Sequence, residues 1–266
     1  MPSANSHVKE DLSNEDAFSR RRPAADAPLD LCFRRRERRN HRTARSCHAD
    51  APYQGNVLFD SGCNPEAAND PQARWGGLSK VMTPIFQPEQ TVVQQLQKIG
   101  LQPDDIDLVI CSHLHPDHCG CNSYFRKATI LCHEVEATTA KAEGAENLGY
   151  LRTEWEQPQG FQTFVGDHDV FGDGRIVIMP MPGHTPGMSV ARVELEKDGA
   201  FVLASDAAPL QANIDTGIAP KNTWNMDLAA ASLARLKALR DSGDTIISGH
   251  DDVQWQGLRK GREFYE

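Results

Sequence analysis

Apolar residues along this chain gather into short runs separated by turn-forming residues, and the runs begin abruptly at Gly55. Asn56-Val-Leu-Phe-Asp60 reads as a strand that ends in the turn Asp60-Ser-Gly62. Between 88 and 99, Val92, Leu96 and Ile99 share one helical face, with Pro88 near the start and Gly100 after the end, so the spacing predicts a helix. Asp107-Leu-Val-Ile-Cys111 and Ala128-Thr-Ile-Leu-Cys132 read as buried strands, as do 175–179, 188–195 and 200–204 further on. An alanine- and leucine-rich stretch from Met226 to Arg240 carries Leu228, Leu233, Leu236 and Leu239 near helical spacing. Thr245-Ile-Ile247 then leads into Ser248-Gly249-His250. Strands mixed with intervening helices predict an α/β or α+β layered domain over residues 54–266.

Residues 1–53 break this pattern. They hold Arg20-Arg-Arg22 and the run from Arg34 to Arg39, with no helical or alternating apolar period, so a disordered arginine-rich arm is expected. That segment has eleven Lys and Arg against eight Asp and Glu. Its net of +3, taken from the whole-chain −9, leaves −12 for the rest. A surface so acidic lacks the clustered Lys and Arg that phosphate neutralisation requires, so no nucleic-acid partner is expected. No run of about 18 apolar residues is present and no signal peptide is seen, so neither membrane nor secretion is expected. The seven cysteines form an odd set without framework spacing, which fits the reducing cytoplasm. Cys119 and Cys121 flank Gly120 beside a histidine cluster, but they read as small buried side chains because enough other metal ligands are present.

That cluster is His113-Leu-His115-Pro-Asp117-His118. Four potential ligands in six residues cannot share one face of a strand, and a regular helix would spread them, so they belong on a loop after the 107–111 strand. Neutral imidazole and carboxylate are the ligands zinc takes where it does chemistry. His184, Asp206 and His250 each stand after a strand-like segment, where a rigid scaffold can deliver them into one cleft.

The run His113 to His118, the turn Pro182-Gly-His184-Thr-Pro-Gly187, the later Asp206 and the terminal Gly249-His250-Asp251 resemble the metallo-β-lactamase superfamily in its dinuclear hydrolase branch. Asp60-Ser-Gly62 is similar to the Asp-Thr-Gly turn of that superfamily. The resemblance implies a four-layer αββα sandwich and two Zn2+ per chain, other divalent metals being able to occupy the same ligands. One ion would be held by His113, His115 and His184, the other by Asp117, His118 and His250, with Asp206 bridging. Asp60 would fix the ligand loop, and Asp117 would be the catalytic acid–base group. The reaction implied is attack on a carbonyl carbon by a hydroxide bridging the two zinc ions.

Within the superfamily the chain is similar to N-acyl-homoserine lactonases, the quorum-quenching enzymes. The short turn at 182–187, the helix before the last ligand strand and the sixteen residues after His250 point that way; glyoxalase II carries a helical domain beyond its last histidine. The expected partner is a small lactone; the alternatives are a hydrolase of another lactone, ester or thioester on the same site or a catalytically impaired metal-binding relative, and a homodimer is the candidate assembly. Two features depart from the family. Pro209 stands about where those lactonases carry a tyrosine that donates to the lactone carbonyl, and no strand is legible before residue 54.

Overall fold

Strands form where the apolar runs predict them, because each run buries side chains on both faces. The computed structural model describes residues 55–260 and 263–266, and the backbone alone of 32–34. Its strands are β1 (Cys32–Arg34), β2 (Asn56–Phe59), β3 (Ile106–Ile110), β4 (Thr129–His133), β5 (Gln162–Phe164), β6 (His168–Asp169), β7 (Ile176–Pro180), β8 (Ser189–Leu195), β9 (Gly199–Ser205) and β10 (Thr245–Ser248). The α-helices are α1 (Pro65–Asn69), α2 (Pro71–Trp75), α3 (Val92–Lys98), α4 (Pro116–Cys119), α5 (Glu134–Lys141), α6 (Arg152–Trp155), α7 (Gln211–Thr216), α8 (Met226–Asp241) and α9 (Asp252–Gln256).

Two five-stranded sheets result, in the orders β1-β2-β3-β4-β5 and β10-β9-β8-β7-β6. The first is parallel from β2 to β5, and β1 joins its edge antiparallel. In the second, β9 and β10 are parallel and the remaining pairs antiparallel.

The pleat sorts the apolar side chains into layers. Val57, Phe59, Leu108, Ile110 and Leu131 of the first sheet meet Ile178, Ala191, Val193, Phe201, Leu203 and Ile247 of the second in a central core. Their alternates Leu58, Val109, Ile130 and Cys132 face outward and pack with Leu96 of α3 and Ala137 and Ala140 of α5. On the other side Val190, Val202, Ala204 and Ile246 pack with Ala229, Leu233 and Leu236 of α8. Helix, sheet, sheet, helix is the expected αββα sandwich, and opposite faces of the central strands are buried by different partners.

Several expectations shift in detail. The helix expected over 88–99 is split: Pro88–Gln90 forms a separate 3-10 turn and α3 begins only at Val92. Thr91 sits extended between them, which breaks the helical path, and Gly100 closes the segment at φ +83°. On α8 the buried positions are Ala229, Ser232, Leu233 and Leu236, while Leu228 is largely exposed. The sequence also shows no strand before residue 54, yet β1 pairs with β2, Phe33 opposite Val57. Three residues that lead into an arginine run are too few to display alternation. The remainder of the expected disordered arm, 1–31 and 35–53, lies outside the described residues.

Candidate metal centre

The strands β2, β3, β7, β9 and β10 run towards the same rim, so their C-terminal ends deliver Asp60, His113, His184, Asp206 and His250 to one place. The central run is not wholly loop. His113–His115 are irregular, but Pro116 stands at the first position of the four-residue helix α4, which carries Asp117 and His118. Proline's fixed φ starts that turn, and the turn swings both side chains back towards the histidines.

All seven expected ligands come together. The ligand atoms of His113, His115 and His184 lie within 4.8 Å of one another, as do those of His113, His118 and Asp206, and those of Asp117, His118 and His250. Asp206 stands between the groups: Oδ2 is 3.2 Å from His184 Nε2, and Oδ1 is 2.8 Å from His250 Nε2 and 3.7 Å from His118 Nε2. Cys119 and Cys121 are fully buried and join none of these groups.

Hydrogen bonds behind the ring nitrogens decide which lone pairs face inward. A carbonyl or carboxylate only accepts, so the nitrogen beside it must carry the proton. His115 Nε2–H donates to the Leu148 carbonyl at 2.8 Å, leaving Nδ1 open, 3.1 Å from His184 Nε2. His118 Nδ1–H donates to Asp60 Oδ2 at 2.9 Å, leaving Nε2 open. Ser112 Oγ, 2.8 Å from Asp60 Oδ2, donates there and accepts from His113 Nδ1 at 2.9 Å, leaving His113 Nε2 open. His113 Nε2 and His118 Nε2 are buried and have no hydrogen-bond partner. Unsatisfied buried nitrogens are costly in a folded protein, and a cation between them removes the cost, so the donor set fits metal.

The electrostatics agree. Burial lowers His113 well below the usual imidazole range, and the neighbouring His118, His115 and His184 push in the same direction. Burial likewise lowers His184, to about 4. Burial opposes charge on His118 too, but Asp117 and Asp60 outweigh it and raise that imidazole to about 10. His250 is raised against its burial, chiefly by Asp206. Asp206 would be raised by burial, yet His250 and His184 hold it well below the carboxylate range. Without metal, protons on His118 and His250 supply the positive charge that Asp117 and Asp206 demand.

Three supporting residues are not legible as such in the sequence. Ser112 and Ser205 place hydroxyls 2.8 and 3.2 Å from Asp60 Oδ2, and the Ser112 amide donates to Asp60 Oδ1 at 2.7 Å. Asp60 and Ser205 are the non-glycine residues with positive φ among those described, +61° and +45°, so local backbone strain collects behind the expected ligands. Glu136 of α5, wholly buried, accepts from Leu114 N–H at 3.0 Å and from Thr185 Oγ1–H and Gly187 N–H at 2.9 Å each. Burial raises its carboxyl and the Leu114 amide works against that rise. At the far end, the His250 amide donates to the Pro209 carbonyl at 2.8 Å, and Asp251 caps α9 through Gln254 N–H.

Histidines and aspartates converging at the strand ends of an αββα sandwich define the class: a metal-dependent hydrolase. The chain belongs to the metallo-beta-lactamase superfamily, whose family model matches residues 53–250. It is 30% identical over 220 residues to N-acyl homoserine lactonase AttM of Azorhizobium caulinodans, covering 80% of this chain and 84% of that protein. To N-acyl homoserine lactonase AiiB of Agrobacterium fabrum it is 32% identical over 226 residues, with 79% and 80% covered. Among solved structures it is similar to an N-acyl homoserine lactone hydrolase with the product N-hexanoyl-L-homoserine bound at the catalytic metal centre. That match has a TM-score of 0.70 and 27% identity, with 80% of this chain and 82% of the other covered.

Proposed function

We propose that the chain is a dinuclear zinc lactonase that opens the ring of N-acyl-homoserine lactones. The observation that carries the reading is the division of donors around Asp206, whose two oxygens face opposite groups. His113, His115 and His184 would hold one ion and Asp117, His118 and His250 the other, with Asp206 shared. Nitrogen and carboxylate donors suit zinc, and manganese, cobalt and iron accept the same set. Two such ions lower the pKa of a water held between them and polarise a carbonyl oxygen.

The chain's own residues supply the rest. Asp117 Oδ2 lies 3.7 Å from His118 Nε2 and 3.9 Å from His250 Nε2, and its side chain is 19% exposed, more open than the 3% of Asp206. It can therefore reach both the site and the substrate. Asp117 takes the proton of the attacking water and returns it to the ring oxygen as the C–O bond breaks. The rim suits an acyl tail: Leu148, whose carbonyl holds His115, and Trp224, whose amide donates to the His184 carbonyl, both expose apolar side chains.

Pro209 favours a second reading, a different lactone or ester on the same site, because it offers no side-chain donor and its carbonyl is taken by the His250 amide. The cytoplasm is the proposed location, since the seven cysteines of the sequence form an odd set without the spacing of a disulfide framework. No described helix is long and apolar enough to cross a membrane. The test is a panel of acyl-homoserine lactones, other lactones, esters and thioesters, followed with a pH indicator on metal-reconstituted protein. Ring opening of the homoserine lactones is expected. Protein that binds two ions yet opens none of the panel above the buffer rate refutes the proposal.

A further inference from the structure

We propose that Glu136 is a positioning residue that locks the His115 and His184 loops together and so sets the affinity of one metal ion. The inference rests on the reading of His115 and His184 as ligands of the same ion. Three hydrogen bonds reach this buried carboxylate, all from residues within three positions of those histidines. Leu114 lies between His113 and His115, Thr185 follows His184, and Gly187 closes the same turn. One carboxylate oxygen serves the first loop and the other serves the second, so the spacing between the loops is fixed through a single rigid group.

Packing shows that this approach is built in. A Cβ on Gly187 would fall 2.3 Å from the Glu136 backbone nitrogen, so the His184 turn rests directly on the start of α5 and only glycine permits the contact. The helix thus carries its carboxylate between the two loops, behind the 3.1 Å approach of His115 Nδ1 to His184 Nε2. Burying an ionised group is expensive, and an apolar residue would serve packing alone more cheaply. Two backbone amides and one hydroxyl aimed at the carboxylate are the compensation.

The test titrates the metal-free full chain with Zn2+ against a chromophoric chelator, and repeats it with Co2+ to read each site by its visible absorption. Glu136→Gln keeps the volume but replaces one acceptor oxygen by an NH2 group, leaving either Gly187 N–H or Leu114 N–H unpaired. One ion should bind about 10- to 100-fold more weakly, the other within about twofold of wild type, with the cobalt band of one site alone altered. Thr185→Val removes a single bond and should give a smaller loss at the same site. If Glu136→Gln does not fold, Thr185→Val decides: a selective loss supports the inference and no loss overturns it. Unchanged binding of both ions by Glu136→Gln overturns it, and so does an equal weakening of both together with a lower melting temperature of the metal-free protein. A wild-type chain that holds fewer than two ions overturns the ligand assignment itself, which separates that failure from failure of the role given to Glu136.

Discussion

Replacing Asp60 by Asn should weaken metal binding, and the structure gives the size of the effect. Asp60 accepts from Ser112 N–H at 2.7 Å, Ser112 Oγ–H at 2.8 Å and His118 Nδ1–H at 2.9 Å, with Ser205 Oγ at 3.2 Å. Asn is isosteric and tolerates the positive φ of 61°, so backbone strain does not confuse the result. One of its two ends must be NH2, and each end faces an N–H that needs an acceptor. With NH2 towards His118, the imidazole is driven to the tautomer protonated at Nε2, the atom that faces Asp206, and that nitrogen can no longer ligate. With NH2 towards the Ser112 amide, two donors collide behind the His113 loop. Either way, loss of a partner that orients a metal-bound histidine typically weakens metal about 10- to 100-fold, or roughly 1.4–2.7 kcal/mol. Exchanging charged for neutral hydrogen bonds at this buried site should cost the fold about 1–3 kcal/mol besides. Chelator-competition titration reads the first quantity and thermal melting of the metal-free protein the second. Two ions bound by Asp60→Asn with wild-type affinity would refute the tautomer argument.

The raised imidazole of His118 makes metal binding compete with a proton. Its value of about 10 implies that affinity for the ion at His118 rises about tenfold per pH unit between about 7 and 9, with one proton released, measurable by titration calorimetry in buffers of different ionisation enthalpy. For the metal-free fold the same shift stabilises fully below the ordinary imidazole value and is lost as pH climbs through about 10. His184, lowered to about 4, stabilises above the ordinary imidazole value and its contribution is lost as pH falls through about 4, so melting temperatures of metal-free protein should drop at both ends. Asp117→Asn keeps an oxygen donor but cannot carry a proton, so kcat should fall about 10²- to 10⁴-fold with KM little changed; steady-state kinetics that show only a KM effect would remove its acid–base role. Trp224→Ala should raise KM for a ten-carbon acyl lactone about tenfold, the value of about two buried CH2 groups, and leave a four-carbon one nearly unchanged; equal effects on both would exclude Trp224 from tail recognition.

The sequence exposes the proposed ligands because each stands where a local pattern stops. An apolar run that stops at a turn marks β3 before His113, β9 before Asp206 and β10 before His250, and all three strands lie where those runs predict. Short elements that depend on distant contacts leave no such mark. β5 buries only Phe164 of its three residues, and α6 is held by Glu154, which takes the Arg74 guanidinium at 2.8 Å and Trp75 Nε1 at 3.0 Å from far upstream. Asp60 is visible because it belongs to a turn that follows a strand. Glu136 is not, because Glu134-Val-Glu136-Ala-Thr-Thr-Ala-Lys141 reads as a solvated helix, and nothing within it shows that the His184 turn will descend onto its first residues.

That contrast has a physical origin. A ligand must point inward from its own strand, so the constraint falls on its neighbours in sequence and leaves a motif. A carboxylate behind the ligands must only meet an N–H brought by another segment, so the constraint falls on the tertiary approach and leaves a glycine somewhere else, here Gly187. The two buried carboxylates divide the work accordingly. Asp60 reaches His118 directly and His113 through Ser112, whereas Glu136 reaches the loops of His115 and His184 through their backbone. Glu136 therefore serves the proposed ligands of one ion alone, whereas Asp60 from behind and Asp206 from within touch both groups, and a disturbance of one group would pass to the other through either.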